Sequence, residues 1–230
     1  MVLIVGKSIR EARLISEIFH YMGILSFATV PERAVGEINN RFRAILVCNP
    51  ETLNEPEEFI RVLKKFSLSA PVFAISQDKN EYVRSHPRDM MLFDMIFADN
   101  TYSSGLYNAI TDFQRQNKLP ILGEYKLAGF DASAYLDKPV YFDKPLSFTK
   151  TEIMILRYLL RSYPVHVTAR DILKFAFKPS KTPEPSNIRT HISVINKKFK
   201  TIAGRPCIFS EPRLGYKMLT AEIMCASKNK

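Results

Sequence analysis

The sequence predicts an α/β chain in two parts: a doubly wound, five-stranded parallel sheet in residues 1–117, then a small antiparallel sheet, helices and a hairpin in residues 118–230. Short apolar runs alternate with amphipathic segments in the first part. The second part begins with short segments of alternating apolar and polar residues, which Gly and Pro interrupt. Residues 1–118 carry 14 basic and 14 acidic side chains, so the whole net charge of +10 lies in residues 119–230. Such asymmetry is typical of chains that bind a polyanion.

The first part contains five short apolar runs, which are typical of strands buried on both faces of a parallel sheet. These runs occupy residues 2–5, 24–30, 44–47, 71–76 and 93–97. Segments with the helical period of 3.6 residues lie between and after them, at 9–23, 31–40, 55–66 and 103–116. Pro87 stands in the middle of segment 78–93, so any helix there is predicted to be short or broken.

The second part is predicted to begin with short antiparallel strands in residues 121–148, where Gly and Pro residues interrupt an apolar and polar alternation. Two helices follow, and each begins with the spacing of a capping box: Thr149 with Glu152, and Thr168 with Asp171. A basic helix over residues 186–202 and a final hairpin are predicted to complete this part.

The first part resembles the receiver domain of two-component response regulators, a CheY- and flavodoxin-like domain, in the order of its elements and in its apolar strands. The resemblance places a phosphorylation site at the strand ends, where this chain departs from the family. Receivers carry magnesium-binding acids after the first strand, a phospho-accepting aspartate after the third and a Lys-Pro after the fifth. The corresponding residues are Gly6, Lys7 and Ser8, then Cys48 or Asn49, then residues 97–100, and only Ser76 matches the family, as its hydroxyl.

These departures predict a receiver-like domain that does not take up phosphate. Mg²⁺ prefers oxygen ligands, usually including carboxylates, and Lys7 would put a positive charge where the metal belongs. Neither a thiol nor an amide replaces the aspartate as acceptor of an acyl phosphate. No cofactor or metal is expected, and no enzymatic activity, because His20 and His86 stand in no catalytic motif.

Cys48 leaves two interpretations open. A cation at a neighbouring strand end, here Lys7, could lower the pKa of its thiol, as a redox sensor requires. Alternatively, Cys48 is an inert small residue that fills the space of the lost aspartate. The three cysteines are too scattered for a disulfide framework or a zinc site. Because no long apolar run or signal peptide is apparent, a cytoplasmic location without a membrane partner is expected.

The second part resembles the winged helix-turn-helix domain of OmpR/PhoB response regulators. The segments LSFTKTEIMILRYLL, HISVINKKF and LGYKM carry the resemblance, in that order. That class joins a receiver to a winged helix, so the two resemblances agree. They imply a transcriptional regulator that binds double-stranded DNA with helix 186–202 in the major groove and the hairpin, or wing, in the minor groove. They also imply a homodimer formed through the receiver-like part.

The period of the basic helix assigns its faces. Ile188, Ile192, Ile195 and Phe199 share one face and are expected to pack on the core. Bases are expected to meet the opposite face, because an amide pairs with adenine and methyl groups suit thymine. The base-reading candidates are Asn187, Thr190 and Val194, and the phosphate-binding candidates are Arg189, His191, Lys197 and Lys198. Ser193 and Val194 replace arginines that are frequent in relatives, which favours an A·T-rich or shape-read site.

The wing and the preceding loop add further candidates. Arg213 at the wing tip is expected to enter the minor groove, although relatives carry this arginine one position earlier, where Pro212 stands. Lys217 is expected to contact a phosphate. Loop 178–186, which contains three prolines, either contacts RNA polymerase, as the resemblance implies, or is a plain connector.

Two functions remain open from the sequence. The receiver-like part is either a phosphate-independent dimerisation platform for a DNA-binding regulator, or a sensor that gates DNA binding. The sensed signal in the second case is a small molecule, a thiol oxidant at Cys48 or a partner protein.

Overall fold

The computed structural model describes residues 1–39, 41–67, 70–85, 92–98, 104–127, 130–134, 136, 138–141, 144–177 and 184–219. The chain divides into two compact units, Met1–Leu122 and Gly123–Lys230. Leu122 belongs to the first unit because its backbone N–H donates to Gln114 Oε1 at 2.7 Å and its carbonyl accepts from the Tyr107 hydroxyl at 3.3 Å. The division therefore lies after residue 122, whereas the sequence pattern changes near residue 117.

The first unit is a parallel sheet with strand order β2-β1-β3-β4-β5. Its strands are β1 (Val2–Val5), β2 (Ser26–Thr29), β3 (Ala44–Cys48), β4 (Val72–Ser76) and β5 (Met95–Ala98). Every residue of β1, β3 and β4 is buried, as expected for central strands covered on both faces. The predicted five-stranded, doubly wound fold is confirmed.

Five helices accompany this sheet among the described residues: α1 (Ile9–Tyr21), α2 (Pro31–Glu37), α3 (Pro56–Phe66), α4 (Lys79–Ser85) and α5 (Ser104–Gln116). Helix α4 is described over Lys79–Ser85, and Pro87, on which the prediction of a short or broken helix rested, lies outside the described residues. Strand β5 begins at Met95, later than predicted. The Asp94 N–H donates to the Val72 carbonyl at 2.8 Å, but the Val72 N–H donates to the Asp94 carboxylate at 2.6 Å.

The second unit begins with the predicted antiparallel sheet, in the order β6-β7-β8-β9. Its strands are β6 (Lys126–Leu127), β7 (Phe130–Asp131), β8 (Val140–Tyr141) and β9 (Lys144–Pro145). Helices α6 (Lys150–Ser162), α7 (Ala169–Ala176) and α8 (Pro185–Ala203) follow, and then the hairpin of β10 (Ile208–Glu211) and β11 (Gly215–Met218). Both predicted capping boxes are formed, at α6 and α7.

Aromatic packing and a buried arginine hold the second unit together. The Phe199 ring of α8 lies 5.1 Å from the Phe130 ring and 5.8 Å from the Phe148 ring. Arg157 of α6 is 5% exposed and donates to the backbone carbonyls of Ala132 and Ser133. These contacts fix the small sheet against the helices.

Among the described residues, no helix is long and apolar enough to cross a membrane.

Candidate functional site

The end of strand β1 carries no carboxylate. Lys7 and Ser8 are exposed, and the Ser8 hydroxyl accepts the Glu11 N–H at 3.2 Å as the N-cap of α1. Gly6 is buried, and a Cβ atom there would lie 2.9 Å from both Ala12 N and Glu11 Oε2. The turn from β1 into α1 thus leaves little room for any side chain at Gly6, and the Glu11 carboxylate lies beside this glycine.

The end of strand β3 separates the two candidates for the acceptor position. Cys48 is the last residue of the strand and is 1% exposed. Asn49 follows with left-handed backbone angles, φ 42° and ψ 60°, which asparagine tolerates better than most residues. Its Nδ2 donates to Glu11 Oε1 at 2.6 Å. Asn49 therefore presents the polar side chain at this strand end, and Cys48 belongs to the core.

Strand β4 ends at Ser76, whose hydroxyl donates to Glu51 Oε1 at 3.2 Å. A cavity of about 340 Å³ lies beside this pair, lined by Glu51, Gln77, Asp78, Glu81, Tyr82 and Ser85. Glu11 and Glu51 were not predicted as site residues, because no pattern in the sequence places them near residues 49 and 76. Each of these carboxylates is hydrogen-bonded to a neutral side chain.

The strand ends do not fit the Mg²⁺ ion of receivers. Among the described residues, no group of three His, Cys, Asp or Glu side chains could hold a metal ion. Glu11 and Glu51 lie at the strand ends, where they accept from Asn49 and Ser76 respectively. Residues 99 and 100, which belong to the predicted site after β5, lie outside the described residues.

Helix α8 has one buried face and one exposed face. Its buried residues are Ile188, Ile192, Ile195 and Phe199, so the predicted core face is confirmed. The exposed side chains on the rest of the helix include Asn187, Arg189, Thr190, Ser193, Val194 and Lys197. Val194 is 38% exposed, although it is apolar. A helix with this surface can offer methyl, amide and basic groups to a macromolecule.

Two of the predicted phosphate-binding residues of α8 are partly covered by the protein itself. His191 is half-buried, and its ring lies 6.2 Å from the Phe177 ring. Lys198 Nζ lies 2.7 Å from Glu152 Oε2 and 5.2 Å from the centre of the Phe148 ring. Both residues lie on the same flank of α8, at about 280–300° if Ile188 is set to 0° and each residue adds 100°.

The opposite flank of α8 is tied to the hairpin by Asn196. Its Oδ1 accepts the backbone N–H groups of Cys207 at 3.1 Å and Ile208 at 2.9 Å, and its Nδ2 donates to the Ile208 carbonyl at 2.8 Å. Asn196 was not predicted as a site residue, because its partners lie in a hairpin whose position the helical period does not reveal.

The hairpin presents Arg213 at its tip. Arg213 has φ 68° and is exposed between Pro212 and Leu214, in a turn closed by a hydrogen bond from Leu214 N to the Glu211 carbonyl at 3.2 Å. Lys217 is half-buried, with Nζ 5.7 Å from the centre of the Phe209 ring on the neighbouring strand. The tip is therefore available to a partner, whereas Lys217 is held against the strand pair.

Solved structures resemble the chain over nearly its whole length. The response regulator DrrB of Thermotoga maritima, an OmpR/PhoB homolog, is 16% identical, with 94% of this chain and 97% of DrrB covered and a TM-score of 0.39. A streptococcal protein, from a family of redox sensors that evolved from two-component response regulators, is 14% identical, with 95% and 98% covered and a TM-score of 0.40. No protein-family model matches the chain. No curated protein matches it either.

Two features decide the architecture. One is the strand order of the first unit, and the other is the succession of a small sheet, three helices and a wing in the second unit. The chain has a doubly wound α/β fold followed by a winged helix-turn-helix fold. Within this architecture, the site after β3 carries Asn49 without a neighbouring aspartate, and the surface of α8 carries most of the predicted DNA-binding residues. The first part of loop 178–186, the predicted contact with RNA polymerase, lies outside the described residues.

The surroundings of Glu152 favour its charged form. Burial alone would raise the pKa of the Glu152 carboxyl, but hydrogen bonds from Lys198 and Thr149 and the charge of Lys198 outweigh it and hold that pKa below its ordinary value. Glu152 is therefore ionised at neutral pH, and its charge is satisfied inside the protein.

Proposed function

We propose that the chain is a sequence-specific, DNA-binding transcriptional regulator of the OmpR/PhoB family, whose receiver-like unit works without phosphorylation as a homodimerisation platform. The observation that carries this proposal is helix α8. Its buried residues all lie on the core face, and the remaining surface exposes Thr190, Val194 and Lys197 beside a wing with Arg213 at its tip. A helix of this kind suits the width of the DNA major groove.

The groups that α8 offers to DNA have distinct roles in this proposal. Asn187 pairs with an adenine edge, and Thr190 and Val194 place methyl groups against thymine. Ser193 adds a small hydroxyl that can donate a hydrogen bond to a base edge or accept one from it. Arg189, His191 and Lys197 neutralise phosphates, as Lys217 does from the wing, and Arg213 enters the minor groove. The net charge of +10 supports a polyanionic partner.

Independence from phosphorylation is supported by the strand ends of the first unit. Asn49 donates to Glu11, Ser76 donates to Glu51, and Lys7 replaces a metal-binding acid. The unit keeps the sheet of a receiver without its phospho-accepting aspartate, which favours a structural role in dimerisation. The alternative role is a sensor that gates DNA binding. A sensor of thiol oxidants is not favoured, because Cys48 is 1% exposed.

The DNA-binding proposal is tested by selecting duplexes from a random library with the full chain, and then measuring affinities for the selected and random duplexes. Thr190→Ala with Val194→Ala is expected to lower the preference for the selected duplex by about tenfold or more, because each base pair that is no longer read costs about 1–3 kcal/mol of discrimination. Leu14→Ala removes an exposed apolar side chain of α1 and serves as the matched control. A double variant with undiminished preference contradicts the assignment of these residues to base contact.

Sedimentation of the full chain without any phosphodonor tests the proposed dimer. A stable dimer supports the platform role. A monomer that dimerises only with a ligand or an oxidant supports the sensor role instead.

A further inference from the structure

Glu152 and Lys198 form a buried link between the start of α6 and the flank of α8. The Glu152 side chain is 5% exposed, and its Oε2 lies 2.7 Å from Lys198 Nζ. The same oxygen accepts the Thr149 N–H at 2.8 Å in the capping box. A carboxylate buried to this degree needs a cationic or hydrogen-bonding partner, and loss of that partner is costly.

Lys198 is held on a second side by aromatic packing. Its ammonium lies 5.2 Å from the centre of the Phe148 ring, within the range of a cation–π contact. Phe148 in turn stacks on Phe199, at 5.8 Å, on the core face of α8. The Lys198 side chain is 35% exposed, so its charge is largely directed into the protein.

The link lies on the flank of α8 that Asn196 does not hold. With 100° per residue, Lys198 and Asn196 stand about 90° and 70° to either side of the centre of the core face. Asn196 is bound to the backbone of Cys207 and Ile208, and Lys198 is bound to Glu152. Two ties on opposite flanks oppose rotation of the helix about its own axis.

We propose that Glu152 is a positioning residue for DNA recognition: through Lys198 it fixes the axial rotation of α8 in the groove, and the Lys198 charge neutralises Glu152 instead of a DNA phosphate. This inference rests on the proposed function. It replaces the expectation that Lys198 is a phosphate contact, and it assigns a role to Glu152, which never reaches the DNA.

The experiment measures the affinity of the full chain for the selected duplex and for a random duplex of equal length, over a series of salt concentrations. Lys197→Gln is the matched control, because Lys197 is exposed on the same helix. Loss of one phosphate contact lowers the salt slope by about 0.9, so Lys197→Gln is expected to do this on both duplexes. Lys198→Gln is expected to keep the wild-type slope and to lower the ratio of the two affinities by about tenfold.

Two further variants separate positioning from simple loss of folded protein. Lys198→Arg keeps the cation and is expected to restore the affinity ratio. Glu152→Gln is expected to lower the ratio like Lys198→Gln without a shallower slope, and the double variant is expected to be no worse than either single one. A smaller folded fraction would lower the apparent affinities for both duplexes equally and leave the ratio of these affinities unchanged. Far-UV circular dichroism measures the folded fraction directly.

The inference is overturned if Lys198→Gln loses the same slope as Lys197→Gln, or if Glu152→Gln keeps the wild-type ratio while folded. A wild-type chain that binds neither duplex in a salt-dependent manner overturns the proposed function itself.

Discussion

Asn49 Nδ2 donates to Glu11 Oε1 at 2.6 Å, which joins the carboxyl end of β3 to the first turn of α1. The amide suits this position because its N–H can donate to a carboxylate. Ser76 and Glu51 repeat the arrangement at the end of β4, at 3.2 Å. Neutral donors at the ends of β3 and β4 thus donate to carboxylates that come from α1 and from the turn after β3.

Asn49→Asp is expected to destabilise the first unit, not to restore phosphorylation. The new carboxylate would face Glu11 without an N–H to donate, so we expect the free energy of unfolding to fall by about 1–3 kcal/mol. Urea unfolding measures this loss, with Asn80→Asp at an exposed position of α4 as the control. Acetyl phosphate with Mg²⁺ is expected to label neither the wild type nor Asn49→Asp, and a stoichiometric acyl phosphate on either protein would contradict this.

The fold class and the buried face of α8 could be predicted because both depend on local periodicity. The Thr149–Glu152 and Thr168–Asp171 capping boxes are equally local. The contacts that define the sites join distant residues: Asn49 with Glu11 across 38 positions, and Lys198 with Glu152 across 46. No period in the sequence encodes such pairs, because the packing of whole elements brings them together.

Asn196→Leu is expected to loosen the hairpin from α8. The N–H groups of Cys207 and Ile208 would lose their acceptor while remaining covered, at a cost of about 1–3 kcal/mol. Hydrogen exchange at these two amides measures the effect and is expected to accelerate. Asn196→Asp keeps the acceptor oxygens and is expected to lose less protection, so equal acceleration in both variants would contradict the assigned hydrogen bonds.

Gly215→Ala is expected to destabilise the hairpin where it pairs with Val167. Gly215 has φ 105°, and a Cβ atom there would overlap the Val167 carbonyl. Strain and overlap together are expected to cost about 3 kcal/mol in unfolding free energy. Gly36→Ala is the control, since nothing lies near its Cβ position in α2, and this change is expected to stabilise by about 0.5–1 kcal/mol. Thermal unfolding followed by circular dichroism distinguishes the two, and equal melting shifts would refute the steric argument.

Glu152→Gln is expected to remove a part of the stability that depends on pH. Because the Glu152 pKa is lowered in the fold from its ordinary 4.5, its contribution is present above about pH 4.5 and is lost as pH falls through the lower, folded-state pKa. The stability difference between wild type and Glu152→Gln should therefore shrink from about pH 7 to about pH 3. Urea unfolding at both pH values measures it, with exposed Glu58→Gln as control. A difference that stays constant would show that the carboxylate charge contributes nothing.

Cys48 is expected to be protected from thiol reagents in the folded chain. It is 1% exposed, and Cys207, which is 0% exposed and whose thiol pKa is raised by burial, provides an internal comparison. A maleimide should modify both residues at least about a hundredfold more slowly in buffer than in urea, because reaction requires an opening of the core. Peptide mass spectrometry reads each cysteine separately. Rapid modification of Cys48 while Cys207 stays protected would favour the sensor role over the platform role, since only an accessible thiol can report an oxidant.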